Sequence, residues 1–96
     1  MKGAMAAVEI FLIEEGEPTR RLSLVISTPE RNGDEGGWSC RVVLADQHPP
    51  ETIVGRDSFE ALSLAMARAR GWVDALRSGG RVLARDRSGE IRFEFP

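Results

Sequence analysis

The sequence predicts an α+β domain: an antiparallel meander sheet packed on one long α-helix, with a C-terminal β-hairpin, in the order ββββαββ. Three observations predict it. Apolar residues alternate with a period of two in three stretches before residue 46, the mark of half-buried strands. Over residues 57–78 the apolar spacing changes to steps of three and four, which draws one stripe along a helix. Alternation then returns on both sides of the turn sequence DRSG at 86–89. Ninety-six residues are enough for one core and one domain.

Residues 8–13 (VEIFLI) set Val8, Ile10 and Leu12 on one side and Glu9, Phe11 and Ile13 on the other. The run EEGEPT carries Gly16 and Pro18 and reads as a turn. Residues 20–27 (RRLSLVIS) alternate again, Leu22, Leu24 and Ile26 against Ser23, Val25 and Ser27, so the first two strands form a hairpin that Pro29 ends. Residues 29–37 are polar and glycine-rich and read as a loop. In residues 38–45 (WSCRVVLA), Trp38, Cys40, Val42 and Leu44 oppose Ser39, Arg41, Val43 and Ala45. Pro49 and Pro50 lack the N–H that a ladder needs, so the sheet is expected to pause there before a short fourth strand at 51–55.

The helix has both its signals. Asp57 is a good N-cap and Glu60 stands three residues on, as a capping box requires. The stripe runs through Phe59, Leu62, Met66, Ala69, Val73 and Leu76, with Ala65 and Trp72 widening it. Arg77 suits the negative end of the macrodipole, and Gly79 and Gly80 supply the left-handed stop. In the last hairpin Ile91, Phe93 and Phe95 share one side and Arg92 and Glu94 the other.

One helix covers one face of such a sheet. The covered face is expected to hold Ile10, Leu12, Leu22, Leu24, Ile26, Trp38, Cys40, Val42, Leu44, Ile91 and Phe93 against the helix stripe. The other face then shows Phe11, Ile13, Val25 and Val43 among Glu9, Ser23, Ser39, Arg41, Arg92 and Glu94. That mixture is too apolar for a solvated face and too polar for a buried one. Phe11, Ile13, Val25, Arg41, Val43 and Arg92 are therefore the candidate partner-binding residues. A second candidate is the outer helix face, where Leu64, Ala67, Gly71 and Ala75 fall together. Small residues four apart let another backbone approach, whether from a second copy or from the chain's own tail, and Gly71 costs a helix about 1 kcal/mol relative to alanine.

Thirteen basic against fifteen acidic side chains give a formal charge of -2, which points to neither a general nucleic-acid binder nor a membrane-surface protein. Arginines 68, 70, 77, 81, 85 and 87 nevertheless gather at the helix end and the last hairpin. A single-strand nucleic-acid site built from Arg68, Arg70, Arg77, Arg81, Arg85 and Arg87 is the alternative reading, though such sites pair a basic groove with exposed aromatics and only Phe11 is free of the expected core. Cys40 and His48 each occur once, too few for a metal site. Cys40 lies on the apolar side of its strand and reads as a small buried hydrophobe rather than a nucleophile. The glycines of EGGW and SGGR do not join a strand to a helix with the Lys and Ser or Thr of a phosphate loop. No cofactor or metal and no catalysis are expected. Glu9 interrupts the apolar start and no run approaches a membrane span, so a cytoplasmic chain is expected.

The stretch WSC at 38–40 followed by GRDSFEALSLAMA from Gly55 resembles a family of small bacterial proteins known only as a domain of unknown function, with a Trp-x-Cys strand and a Gly-x-Asp…Ala-Leu helix start. Gly55, Asp57, Ala61, Leu62, Leu64 and Ala65 fit that pattern, and Glu60 stands where the family usually has Gln. The resemblance covers roughly the middle half of the chain. It implies the fold more than an activity, and some similar small proteins serve as immunity partners of bacterial toxins. The expected role is a non-enzymatic protein–protein interaction module, with another protein or a second copy as partner. The acidic EEGE turn and the ERNGDEGG loop would steer a basic partner.

Overall fold

The computed structural model describes residues 3–95. In chain order it holds β1 (Ala4–Ile13), β2 (Arg20–Ser27), β3 (Glu30–Arg31), a 3-10 turn (Gly33–Glu35), β4 (Trp38–Leu44), β5 (His48–Gly55), α1 (Ser58–Ser78) and β6 (Val82–Ala84). The fold is α+β, an antiparallel sheet of six strands packed against one helix. β5 pairs β4, β4 pairs both β2 and β3, β2 pairs β1, and β1 pairs β6. α1 leaves one edge strand, crosses one face, and delivers the chain to the opposite edge.

The covered face is the expected one over most of its area. Ile10, Leu12, Leu22, Leu24, Ile26, Cys40, Val42 and Leu44 are buried, with Trp38 half-buried beside them. The helix answers with Ala61, Ala65, Ala69, Trp72, Val73 and Leu76. Each large side chain among these contributes about 1.5–3 kcal/mol by leaving water. Alanines along the centre of the stripe let the helix lie close to the strands.

Five expectations need correction. Phe59 is 85% exposed rather than core. It stands two residues before buried Ala61, hence roughly 200° round the helix, and points away from the sheet. Ile91 is 57% exposed. It sits opposite Arg85, past the end of β6, where its carbonyl accepts the Arg85 N–H and neither helix nor sheet covers it. The second strand of the expected C-terminal hairpin is reduced to one bridge, Ala84 to Arg92, backed by a bond from Phe93 N to Leu83 O at 2.9 Å. The sheet does not pause at Pro49 and Pro50: β5 begins at His48, with a register shift opposite Val42 and Leu44. An edge strand tolerates proline because one side of its ladder is unused. The 29–37 loop also holds structure, since Glu30 and Arg31 pair with Ser39 and Trp38.

The helix ends follow their signals with small changes. Asp57 accepts the Glu60 N–H at 2.8 Å. The Glu60 carboxylate reaches back to the Arg56 N–H at 2.8 Å, one residue beyond the usual box, and also holds the Arg56 guanidinium. The left-handed residue at the other end is Gly80, at φ 84°, and Gly79 stays at φ -81°. Among the described residues no helix is long and apolar enough to cross a membrane.

Candidate interaction surface

Strand alternation sends Phe11, Ile13, Val25, Val43 and Arg41 to the face away from α1, and Arg41 is exposed while the other four are half-buried. The chain's own tail divides this face. Arg87 places its guanidinium 5.0 Å from the centre of the Phe11 ring. Gly89 lies so close to Ile13 that a Cβ there would stand 3.0 Å from Ile13 Cδ1. The 86–89 turn thus shelters Phe11 and Ile13. It is held by the Asp86 carboxylate, which accepts the Ile91 N–H at 2.8 Å and the Ser88 hydroxyl. Arg92 shares the face but stands beyond β6 at its far margin, donating from Nε to Gly89 O at 3.2 Å.

The uncovered half is centred on β2 and β4. Val25 and Val43 are direct cross-strand neighbours, and Arg41 opposes Thr52 on β5. With Ser27, Glu30 and Ser39 they line a shallow groove of about 460 Å³. The groove has an aliphatic floor and a rim of hydroxyls, with one cation and one carboxylate. Where β2 ends, the Arg41 N–H donates to Ser27 Oγ at 2.7 Å, and the Ser39 hydroxyl donates to Asn32 Oδ1. These two bonds fix the rim. Strand alternation in the sequence puts Val25, Arg41 and Val43 on this face. Thr52 joins them only through the β4–β5 register, and Glu30 through its pairing with Ser39, neither of which a local pattern signals.

The outer helix face is also where it was expected. Leu64, Ala67, Gly71 and Ala75 are exposed, and the first three border a second groove of about 350 Å³ with Ile53, Arg68 and Trp72. The chain's own tail does not fill this face at Gly71, where an added Cβ would meet nothing within 4 Å.

The arginines are dispersed over internal partners. Arg68 pairs with Glu51. Arg70 and Arg85 sit 5.5 Å over the rings of Phe95 and Phe93. Arg77 donates to Phe93 O, and Arg81 Nε is 3.3 Å from Glu14. Arg87 covers Phe11. Arg77 and Arg81 do share a hollow with Arg92 and Glu94 at the far margin of β6.

Cys40 is fully buried, and burial pushes its thiol pKa up, away from a reactive thiolate. His48 stacks on Trp72 and not on a carboxylate or thiol. Among the described residues no group of three or more His, Cys, Asp or Glu side chains could hold a metal ion. No family model matches the chain, and neither does any curated protein or any solved structure.

Proposed function

We propose that this chain is a non-enzymatic interaction module that engages a protein partner through the β2–β4 groove. The observation that carries the reading is the half-exposed Val25–Val43 pair with the Arg41 side chain at its rim, on the one sheet face that α1 leaves open. Aliphatic floors ringed by polar groups are how protein interfaces are built, with charge at the rim setting orientation and encounter. The family resemblance adds a biological direction, an immunity or regulatory partner. A chain of this kind acts in the cytoplasm by occupying another protein's surface. The arginines of the nucleic-acid alternative have aromatic, carbonyl or carboxylate neighbours of their own, which weighs against it.

A photo-crosslinking residue at Arg41 tests the reading, with the same residue at Glu90 as control. One discrete heterologous adduct from position 41, reduced by Val43→Lys and absent from position 90, is the expected result. Equal labelling from both positions, or none, sinks it. Tight, salt-dependent shifting of single-stranded DNA or RNA would instead favour the alternative.

A further inference from the structure

β5 is the outermost strand at its side of the sheet, and among the described residues nothing pairs with its outer edge. The phase of that edge follows from its neighbour. The Arg41 N–H turns to Ser27 and the Ala45 N–H to Ser23 O at 2.9 Å, both on the β2 side. In an antiparallel strand the N–H and C=O of one residue point the same way, and the direction alternates along the chain. Cys40 and Val42 therefore turn to β5, and their partners Ile53 and Glu51 turn back to them. Thr52 and Val54 are left with both backbone groups facing outward. Pro50 has no N–H to add, and the Arg56 N–H is taken by Glu60. The usable edge is two donors long and closed at both ends.

Prolines and charges normally blunt an edge, and here Pro49 and Pro50 guard only one end of it. Between Pro50 and Arg56 the surroundings of the edge are largely apolar. Val54 is 59% exposed and Leu64 45%, and the Ile53–Trp72 groove runs alongside. α1 follows β5 closely: Gly55 touches Ala61 and His48 touches Trp72.

We propose that this edge pairs with the same edge of a second copy of the chain, about a two-fold axis at Ile53. That register sets Thr52 against Val54 of the second copy and uses both outward donors of each strand, giving four backbone bonds. It brings the two Ile53 side chains together, and it puts Glu51 across from the second copy's Gly55, which has no side chain to oppose it. A slip that centred the pair on Thr52 would instead put Glu51 against the second copy's Ile53. The axis stands perpendicular to the sheet, so both helices lie on one side. Each helix lies over the β4–β5 pair, about one strand spacing of ~4.8 Å from the axis. The helices then run about 10 Å apart, an ordinary packing distance. Ala67 and Gly71 fall in that seam, which gives the glycine a purpose that its own chain does not. In that register residues 51–55 of the two strands face each other over ~17 Å, and the helix seam at Leu64, Ala67 and Gly71 supplies the rest of the roughly 600–1,000 Å² per partner that a stable interface buries. This surface is separate from the β2–β4 groove, so the inference stands or falls independently of the proposed function.

Light scattering and sedimentation of the full chain across the micromolar range test it. The expected species is a dimer. Val54→Pro removes an N–H that bonds nothing within its own chain, and an edge position admits proline. It should weaken the dimer about ten-fold or more with unchanged circular dichroism. Gly71→Leu fills open space in one copy and blocks the helix seam, so it should act in the same direction and decides the matter if Val54→Pro fails to fold. Arg41→Glu, on the other face of the sheet, should leave the mass unchanged. A wild-type monomer in the upper micromolar range overturns the proposal, as does a dimer indifferent to both edge and seam variants.

Discussion

The imidazole of His48 lies flat on the indole of Trp72, with ring centroids 4.5 Å apart and planes 8° from parallel. This stack joins the first residue of β5 to the middle of α1 and closes one side of an otherwise buried tryptophan. It follows a turn in which Asp46 takes φ 69°, and it carries the strand past two prolines that supply no ladder bonds. A histidine that sequence reading can place only in a loop is therefore a packing residue.

His48→Ala should cost about 0.5–1.5 kcal/mol, the worth of an aromatic pair beyond its buried area, and should bare one face of Trp72. In a Trp38→Phe background, where Trp72 is the only emitter, the variant should show red-shifted emission and stronger acrylamide quenching. His48→Phe should restore both. Unchanged quenching in the alanine variant would mean that the stack does not form in solution.

Val73→Asp and Phe59→Ser separate the helix stripe as observed from the stripe as spaced in sequence. Val73 is fully buried, and a carboxylate there has no described partner, so the variant should be unfolded or nearly so by circular dichroism. Phe59 belongs to the same 3,4 spacing yet faces solvent, and its replacement should shift the denaturation midpoint by less than about 0.5 kcal/mol. Comparable losses from the two would contradict the helix orientation.

What was legible in the sequence was whatever has a short period. β1, β2 and β4 announce themselves by alternation, and α1 by its Asp57 cap and its stripe. The same parity argument placed Val25, Val43 and Arg41 on the open face. Periodicity is silent for β3, two polar residues recruited by pairing with Ser39 and Trp38. It misleads at Pro49 and Pro50, where edge position decides. It overestimates Phe59 because a spacing of three and four fixes a stripe only to within a helical quarter-turn, and the sheet chose the alanine side. The cover over Phe11 and Ile13 was out of reach: it arises from a turn more than seventy residues away along the chain, and no local pattern encodes that meeting.

Two glycines should respond in opposite directions. A Cβ on Gly55 would fall 2.4 Å from the Ala61 backbone nitrogen and 2.9 Å from its Cα, and backbone cannot step aside. Gly55→Ala should therefore cost about 1–3 kcal/mol, as overpacking does. At Gly71 the added methyl meets open space. Gly71→Ala should gain roughly 0.5–1 kcal/mol of helix propensity in dilute, monomeric solution. Urea midpoints of the two single variants measure both, and stabilisation by Gly55→Ala would mean that β5 and the first turn of α1 are not in contact.

Acid should loosen the tail turn and the helix start first. The Ser88 hydroxyl and the Ile91 N–H hold the Asp86 carboxyl below its ordinary value, and the Arg56 guanidinium and N–H do the same for Glu60. A carboxyl whose folded pKa is depressed binds fewer protons in the folded state than in the unfolded one. Its contribution is therefore complete above the ordinary value near 4 and is lost as pH falls through the lowered folded value. Asp86→Asn keeps an acceptor for Ile91 but cannot titrate. Its stability should change less than that of the wild type between pH 5 and about pH 2. Because the Asp86 turn carries Arg87 and Gly89 over Phe11 and Ile13, amide exchange at Phe11 and Ile13 should rise over the same acid range in the wild type. A wild-type acid limb identical to that of Asp86→Asn would show that this carboxylate does not hold the turn.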